Sequence, residues 1–329
     1  MQEGETDMAN TRNVWVGEHG QVSEKGDEMR QMRNIVATVA CVAALATAVA
    51  GAERALVYTT IDVPGAISTI AQGINSRGDI VGGYVDGTGG HGYLLSEGVF
   101  TKIDYPGAAY TDANGLNARG EVVGGYRMPG EPAVNIHGYL RTKHGEFLPV
   151  DFPGHINTRA QRITREGLIL GCYHDTDTMA SMVGVVINAR DPSEFVEIDA
   201  FASMNNGSTP DGSLMVGFFT DMATGRGRGY LLYGDTFIPF DVPGSIATNA
   251  WDVNPGGEVV GVYRDASNKL HGFLWEDLRF HSLDYPAATA TRAFGINSRG
   301  DIVGNYVDPA GRTHGFVASR MRDDHDDNR

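Results

Sequence analysis

Histidine and aspartate recur at regular intervals along this 329-residue chain, and such pairs can act as a catalytic base or bind a metal. Four histidines begin a His-Gly-aromatic triplet, at His91, His137, His271 and His314. Residues that face each other in a hairpin have a constant index sum, so His91 should face Asp104. The same rule pairs His137 with Asp151 and His271 with Asp284, and it pairs Arg228 with Asp241 in a copy without histidine. His314 should face Asp62, which lies on the N-terminal strand that is expected to pair with the last repeat. We interpret these residues as cross-strand ion pairs and predict no metal site.

Residues that differ between the repeats are the better candidates for function. Six predicted inner strands align on one residue each, which we call the anchor, and the anchors are Gly73, Gly115, Arg162, Gly207, Asp252 and Gly295. Three residues earlier stand Ile70, Asp112, Arg159, Met204, Asn249 and Arg292, and one residue earlier stand Gln72, Asn114, Gln161, Asn206, Trp251 and Phe294. Inner strands of such a repeat would surround a central channel. We predict that a sugar or small anion binds at the mouth of this channel to Asp112, Arg159, Asn249, Trp251, Arg292 and Phe294. The alternative is that these side chains pack between blades.

Carboxylates in this set also allow a catalytic interpretation. Asp112 and Asp252 could serve as the acid and base of an extracellular hydrolase or lyase, with Arg159 or Arg292 stabilising negative charge. Glycoside hydrolysis would require the two carboxyl groups to lie about 5–9.5 Å apart. The chain has no Gly-x-Ser-x-Gly or His-Glu-x-x-His motif. We therefore predict no cofactor and favour a protein that is not an enzyme.

Three repeated phrases indicate the elements that position these residues. The phrase Ile61-Asp62-Val63-Pro64-Gly65 recurs, with its aspartate at intervals of 42, 47, 48, 42 and 43 residues. A phrase like Gly-Ile-Asn-x-x-Gly-x-Val-Val-Gly and then the His-Gly triplet follow each copy. Units of about 44 residues match the ~40–50-residue blades of β-propellers. We predict an all-β, six-bladed β-propeller of four-stranded blades over 53–320, with the ring closed by Leu56–Val63 pairing with the last blade.

Three further sets recur once per unit and receive structural interpretations. A hydroxyl residue four places before each anchor is expected to end the turn between blades, and the set is Thr69, Thr111, Thr158, Ser203, Thr248 and Thr291. Glycines in the second strand are expected to mark close packing between blades, at Gly82, Gly124, Gly171, Gly217, Gly261 and Gly304. Aromatic residues at the end of that strand are expected in the core between blades, at Tyr84, Tyr126, Tyr173, Phe219, Tyr263 and Tyr306.

The repeats resemble a known family at this point. Gly295 to Gly304, together with the segment from His271 to Trp275, looks like the HAF-type extracellular repeat. Glycine stands here where that family more usually has the alanine of His-Ala-Phe, so the chain resembles a variant branch. The resemblance covers essentially all of residues 56–320. It implies export and a propeller-like fold, and it implies no particular activity.

Residues outside the repeats predict how the protein is exported. Residues 29–52 form a basic flank, an apolar centre and Ala-x-Ala exits, which is typical of a secretory signal peptide. A retained membrane anchor is the alternative. Residues 1–28 are a polar leader that suggests a later start codon, and 321–329 form an acidic tail. We expect a secreted, periplasmic or cell-surface protein with no stable membrane span after cleavage.

Composition narrows the function classes. The 44 glycines and 41% hydrophobic residues fit many short strands around a packed core, and Cys172 would have no disulfide partner after cleavage. A net charge of −15 argues against nucleic acid as a partner. We favour an exported binding or cell-envelope protein that acts as a monomer on an extracellular carbohydrate or small molecule. The alternatives are the hydrolase described above and a purely structural surface repeat module.

Overall fold

The computed structural model describes residues 56–175, 181–198 and 200–321. The predicted leader at 1–28, the signal peptide at 29–52 and the tail beyond Met321 lie outside the described residues. The elements within the described residues are all β-strands. No helix in this part of the chain has the length and apolar character needed to cross a membrane.

The strands form six four-stranded units. Strand β1 (Leu56–Ile61) precedes them. Unit 1 contains β2 (Ser68–Ile74), β3 (Ile80–Val85), β4 (Gly90–Ser96) and β5 (Val99–Ile103). Unit 2 contains β6 (Tyr110–Thr111) and β7 (Gly115–Leu116) in place of one inner strand, followed by β8 (Val122–Arg127), β9 (His137–Arg141) and β10 (Phe147–Pro149). Unit 3 contains β11 (Thr158–Ile163), β12 (Leu168–Tyr173), β13 (Val183–Asn188) and β14 (Asp191–Glu197).

The second half of the chain repeats this plan. Unit 4 contains β15 (Met204–Ser208), β16 (Leu214–Asp221), β17 (Arg226–Tyr233) and β18 (Thr236–Phe240). Unit 5 contains β19 (Ala247–Val253), β20 (Val259–Arg264), β21 (Leu270–Glu276) and β22 (Arg279–Leu283). Unit 6 contains β23 (Ala290–Ile296), β24 (Ile302–Val307) and β25 (Thr313–Arg320). Its fourth strand is β1, which runs antiparallel to β25 from Leu56 opposite Arg320 to Ile61 opposite Gly315.

Each unit is an antiparallel meander, so the first strand pairs with the second, the second with the third and the third with the fourth. A parallel bridge between Gly90 and Tyr110 joins units 1 and 2 into one nine-stranded sheet. Unit 6 also contacts unit 1 through the guanidinium group of Arg312, which donates to the carbonyl oxygens of Ala66 and Ile67. The first and last units of the described chain are therefore neighbours.

The turn between units is held by the repeated hydroxyl residues. The amide of Val63 donates to Thr69 Oγ1 at 3.1 Å, and the amide of Phe152 donates to Thr158 Oγ1 at 2.7 Å. Thr111, Thr248 and Thr291 accept the same bond six residues back along the chain. In these five units the hydroxyl group satisfies an amide of the turn, which confirms the predicted turn role there. Ser203 differs, because its Oγ atom accepts from the amide of Gly184 at 2.9 Å.

The glycines of the second strand have a different role from the one predicted. A Cβ atom at Gly171 would overlap the carbonyl oxygen of Arg159, which lies on the inner strand of the same unit. The same overlap occurs at the other five glycines, each time with the residue three places before the anchor. The prediction of packing between blades is therefore wrong, because the close approach lies within each unit. It accompanies a β-bulge one residue before the anchor, which shifts the register in five units.

The core lies where the units face each other. The aromatic residue of the His-Gly triplet is fully buried in all four copies, which are Tyr93, Tyr139, Phe273 and Phe316. Tyr230, which holds the same place after Arg228, is also fully buried. Tyr105 stacks on Tyr126 of the next unit with ring centroids 3.6 Å apart, and Tyr285 stacks on Tyr306 in the same way. These stacks confirm the predicted position of Tyr126 and Tyr306 between units.

Candidate functional site

Four of the six predicted ligand-binding residues meet in one cavity. Asn249, Trp251, Arg292 and Phe294 line a space of about 340 Å³. Trp251 occupies the bulge position of β19, where two residues of one strand face a single residue of its partner. Phe294 occupies the same position in β23. The bulges therefore turn both rings out of the regular alternation of their strands.

The cavity lies between units 5 and 6. The remaining lining residues come from β19, from the end of β20 and from the start of β21, and they are Ala247, Thr248, Val262, Tyr263, Arg264 and Leu270. Trp251 meets Phe294 edge to face, with ring centroids 4.7 Å apart and an interplanar angle of 70°. The volume falls within the roughly 300–1,000 Å³ typical of small-molecule sites.

The polar side chains that can reach a ligand in the cavity are hydrogen-bond donors, and they are either positively charged or neutral. Burial, together with the nearby charge of Arg264, lowers the pKa of Arg292 from its usual value. None of the lining residues is Asp or Glu, and within the described chain no carboxylate forms an ion pair with Arg292 or Arg264. Asn249 Oδ1 accepts a hydrogen bond of 3.1 Å from Asn206, so its amide NH₂ group remains to donate. The site can therefore neutralise an anion.

Arg264 and Tyr263 are lining residues that sequence analysis did not select. Arg264 stands at the end of the second strand, where the other units have Val85, Arg127, His174, Thr220 and Val307. That variation was a usable signal, since it matches the variation used to choose the inner-strand residues. Tyr263 was missed because it belongs to a repeated aromatic set, and its hydroxyl group hydrogen-bonds Ser282 at 2.5 Å.

Asp112 and Arg159 do not line this cavity. Asp112 Oδ1 accepts a hydrogen bond of 2.5 Å from the amide of Gly125, and Asp112 Oδ2 accepts one of 3.0 Å from Tyr110. Burial raises the pKa of Asp112, and the charge of Arg159 acts in the opposite direction. Arg159 Nε donates to His174 at 3.4 Å. These residues form a second polar group, at units 2 and 3.

Asp252 lies in the interior and has a charged partner. Its side chain is 8% exposed, and its Oδ2 atom lies 3.4 Å from Nε of Arg162, which is also 8% exposed. The amides of Val253 and Ile296 donate to its two carboxylate oxygens. Asp252 and Arg162 are the two anchor positions at which the repeat has no glycine. The ion pair with Arg162 thus explains why Asp252 replaces the repeated glycine. The Asp252 carboxylate does not line the cavity.

Arg162 connects the inner strands of several units. Its guanidinium group donates to the carbonyl oxygens of Asn114 at 2.7 Å, of Gln72 at 3.0 Å and of Phe294. Those carbonyls belong to units 2, 1 and 6, while Asp252 belongs to unit 5. One side chain therefore satisfies backbone acceptors that converge from across the molecule.

The repeated histidines form the predicted pairs. Nδ1 lies 2.8 Å from a carboxylate oxygen in the His91–Asp104 pair, and the His137, His271 and His314 pairs follow at 2.8–3.1 Å. Arg228 forms the equivalent pair with Asp241 at 3.0 Å. A second carboxylate faces the other ring nitrogen each time, from Asp86, Glu131, Asp265 or Asp308. Within residues 56–175, 181–198 and 200–321, no cluster of three or more potential ligands is arranged to hold a metal.

Comparison with known proteins identifies the fold. No family model matches the chain, and no curated protein matches it. Among solved structures, the chain is similar to a putative TolB from Agrobacterium tumefaciens, with 12% identity, a TM-score of 0.51 and coverage of 77% of this chain and 91% of the other. It is also similar to the β-propeller domain of the Trilobed protease from Pyrococcus furiosus, with 8% identity, a TM-score of 0.50 and coverage of 79% and 98%. The described residues thus form an all-β structure whose neighbours are β-propellers.

Proposed function

We propose that this chain is an exported binding protein that holds a small anionic ligand between units 5 and 6 of a six-bladed propeller. The six meanders supply the blades. The pairing of β1 with β25 and the contacts of Arg312 with unit 1 support closure of the ring. Export rests on the predicted signal peptide at 29–52, which also assigns the protein to the secreted, periplasmic or cell-surface space.

One observation carries the binding function. Two guanidinium groups, from Arg264 and Arg292, line a cavity that has no carboxylate among its lining residues and that is also lined by three aromatic residues, Trp251, Tyr263 and Phe294. Like charges that face one cavity repel each other, and an anion bound between them would offset that repulsion. The Nη1 atom of Arg264 donates to Asn268 at 3.2 Å, and the remaining N–H groups of this guanidinium are the ones offered to a ligand. An amide donor from Asn249 completes a set that fits a carboxylate, a phosphate or an acidic sugar. The catalytic alternative has no support here, because neither Asp112 nor Asp252 lines the cavity.

Isothermal titration calorimetry tests the proposal directly. We expect the chain to bind members of a panel of carboxylates, acidic monosaccharides, phosphate and sulfate, and not the matching neutral sugars. Arg292→Gln should weaken binding by roughly 10- to 100-fold, because a charge-assisted hydrogen bond contributes about 1.5–3 kcal/mol. Trp251→Ala should also weaken it, since the ring forms one wall of the cavity.

The repeat supplies a matched control. Arg159 occupies in unit 3 the position that Arg292 occupies in unit 6, and it does not line the cavity. Arg159→Gln should leave the affinity unchanged. Loss of binding in Arg159→Gln with full binding in Arg292→Gln would move the ligand to units 2 and 3 and refute the proposed site. Circular dichroism of each variant verifies that the fold is retained.

A further inference from the structure

The cavity is apolar beyond its three donors. Trp251, Phe294, Val262 and Leu270 supply most of the remaining side-chain lining. The two hydroxyl groups of the lining are already hydrogen-bonded, because Thr248 accepts from the amide of Val242 and Tyr263 pairs with Ser282. A sugar presents several hydroxyl groups, and each would lose hydrogen bonds to water on entering such a lining. The chemistry of the walls therefore suits a ligand whose body is apolar and whose charge is confined to one end.

A ring of exposed apolar residues extends this character across the same end of the inner strands. We name it the apolar crown and define it as the residues six places before the anchors in units 1, 3, 4 and 5, namely Ile67, Ile156, Phe201 and Ile246. These side chains are 61%, 48%, 43% and 43% exposed. The two remaining units have Ala109 and Thr289 there. Each crown residue belongs to a different unit, and Ile246 is the one that adjoins a residue of the cavity lining.

Ile246 connects the crown to the cavity. It immediately precedes Ala247, which lines the cavity, and its amide donates to the carbonyl oxygen of Arg264 at 2.8 Å. The guanidinium group of Arg226 holds the carbonyl oxygens of Ser245 and Ile246. A group that leaves the cavity past Ala247 would therefore meet an apolar side chain held on a fixed backbone.

We infer that the ligand is a small anionic amphiphile. Its anionic head would pair with Arg264 and Arg292, and its aliphatic or aryl body would lie against Trp251 and Phe294 and emerge beside Ile246. The inference rests on the proposed function and specifies the ligand class of that site. Carboxylate and phosphate heads share this chemistry, and the experiment separates them.

Calorimetry with a graded series measures each part of the inference. The probes are butyrate, hexanoate and octanoate, with octyl phosphate, octanol and glucuronate for comparison, all below their aggregation concentrations. Affinity should rise about fourfold for each methylene group added along the carboxylate series. Octanol, which lacks the charge, should bind at least tenfold more weakly than octanoate. The ratio of octanoate to octyl phosphate affinity identifies the preferred head.

Two equivalent substitutions test the crown. Ile246→Ser should weaken octanoate binding by several fold and leave butyrate unchanged, because only the longer chain reaches that side chain. Ile67→Ser changes the same position in unit 1, and we expect it to leave the affinity for both probes unchanged. Equal losses in the two variants would overturn the assigned path of the ligand.

The outcomes separate this inference from the function on which it rests. Binding of glucuronate more tightly than octanoate, with loss in Arg292→Gln, would overturn the amphiphile and leave the anion site standing. Equal affinity for octanol and octanoate would also overturn it, because the charge would then contribute nothing. Failure of every anion to bind would remove the proposed function and the inference together. Binding only to anionic vesicles, and to no dissolved amphiphile, would replace it with a membrane surface.

Discussion

Arg162→Gly should lower the free energy of unfolding by about 3–5 kcal/mol, because removing one partner of a buried ion pair leaves the other charge uncompensated. The Asp252 carboxylate would then remain in a site where its side chain is 8% exposed. The carbonyl oxygens of Gln72, Asn114 and Phe294 would also lose a donor. Asp252→Gly should have an effect of similar size, since it leaves the buried Arg162 guanidinium group without a counter-charge.

The double variant distinguishes this explanation from simple loss of contacts. Arg162→Gly with Asp252→Gly gives all six anchors the same residue, and it leaves no unpaired charge. Its loss of stability should fall short of the sum of the single losses by about 0.5–3 kcal/mol, which is the range for residues in one ion-pair network. Equilibrium unfolding in urea measures all three variants, with the buried Trp275 as the fluorescence reporter.

An ion pair with one exposed partner provides the control. Arg77 and Asp79 approach to 2.7 Å, closer than the buried pair, but the Arg77 side chain is 55% exposed. Arg77→Ala should change stability by less than about 1 kcal/mol. Additive losses in the double variant, or a loss in Arg162→Gly no larger than in Arg77→Ala, would refute the role we assign to the buried pair.

The remaining predictions concern the scaffold. Two facing carboxylates raise the pKa of His137 despite its partial burial, so its stabilising effect is complete below the unfolded pKa of about 6.5 and is lost as pH rises through the folded pKa. Urea midpoints measured from pH 5.5 to 8.5 should show this loss, and His137→Arg, which copies Arg228, should remove it. Gly171→Ala should destabilise by about 3 kcal/mol or more through overlap with the paired strand, whereas Gly154→Ala, with φ +81 and open space around it, should cost only about 1 kcal/mol; thermal melts compare the two. Burial raises the pKa of Cys172 to about 12, so a thiol reagent at pH 8 should react only after unfolding.

Local register was predictable from the sequence because it follows from counting. The pairs of His91, His137 and His271 could be identified from a constant index sum across one hairpin, and Arg228 with Asp241 followed by the same rule. The pair of His314 with Asp62 followed once the N-terminal strand was assigned to the last unit. The hydroxyl residues could be assigned to turns because they stand at a fixed distance from Pro-Gly. Both inferences need only the period of a β-strand and the chemistry of a tight turn.

Contacts between distant units could not be predicted in this way. Asp252 was recognised as an unusual residue at its position, but nothing in a single sequence indicates that its partner is Arg162, two units earlier. The second-strand glycines were misinterpreted for a related reason. A bulge moves one carbonyl oxygen toward the neighbouring strand, and the repeat pattern shows that space is needed without showing which atom needs it.

At the boundary between units 5 and 6, an aromatic ring stands where two other units have a hydrogen bond to the next unit. In unit 2 the residue before the anchor, Asn114, donates to the carbonyl oxygen of Ala160 in the next unit at 3.1 Å. In unit 4 Asn206 donates to Ala250 in the same way at 2.7 Å. Trp251 stands at that position in unit 5, and an indole ring on a bulge cannot reproduce the short amide link. The boundary that follows is the one at which the cavity lies. Trp251 therefore lacks the hydrogen bond to the next unit that Asn114 and Asn206 make, and its ring lines the cavity instead.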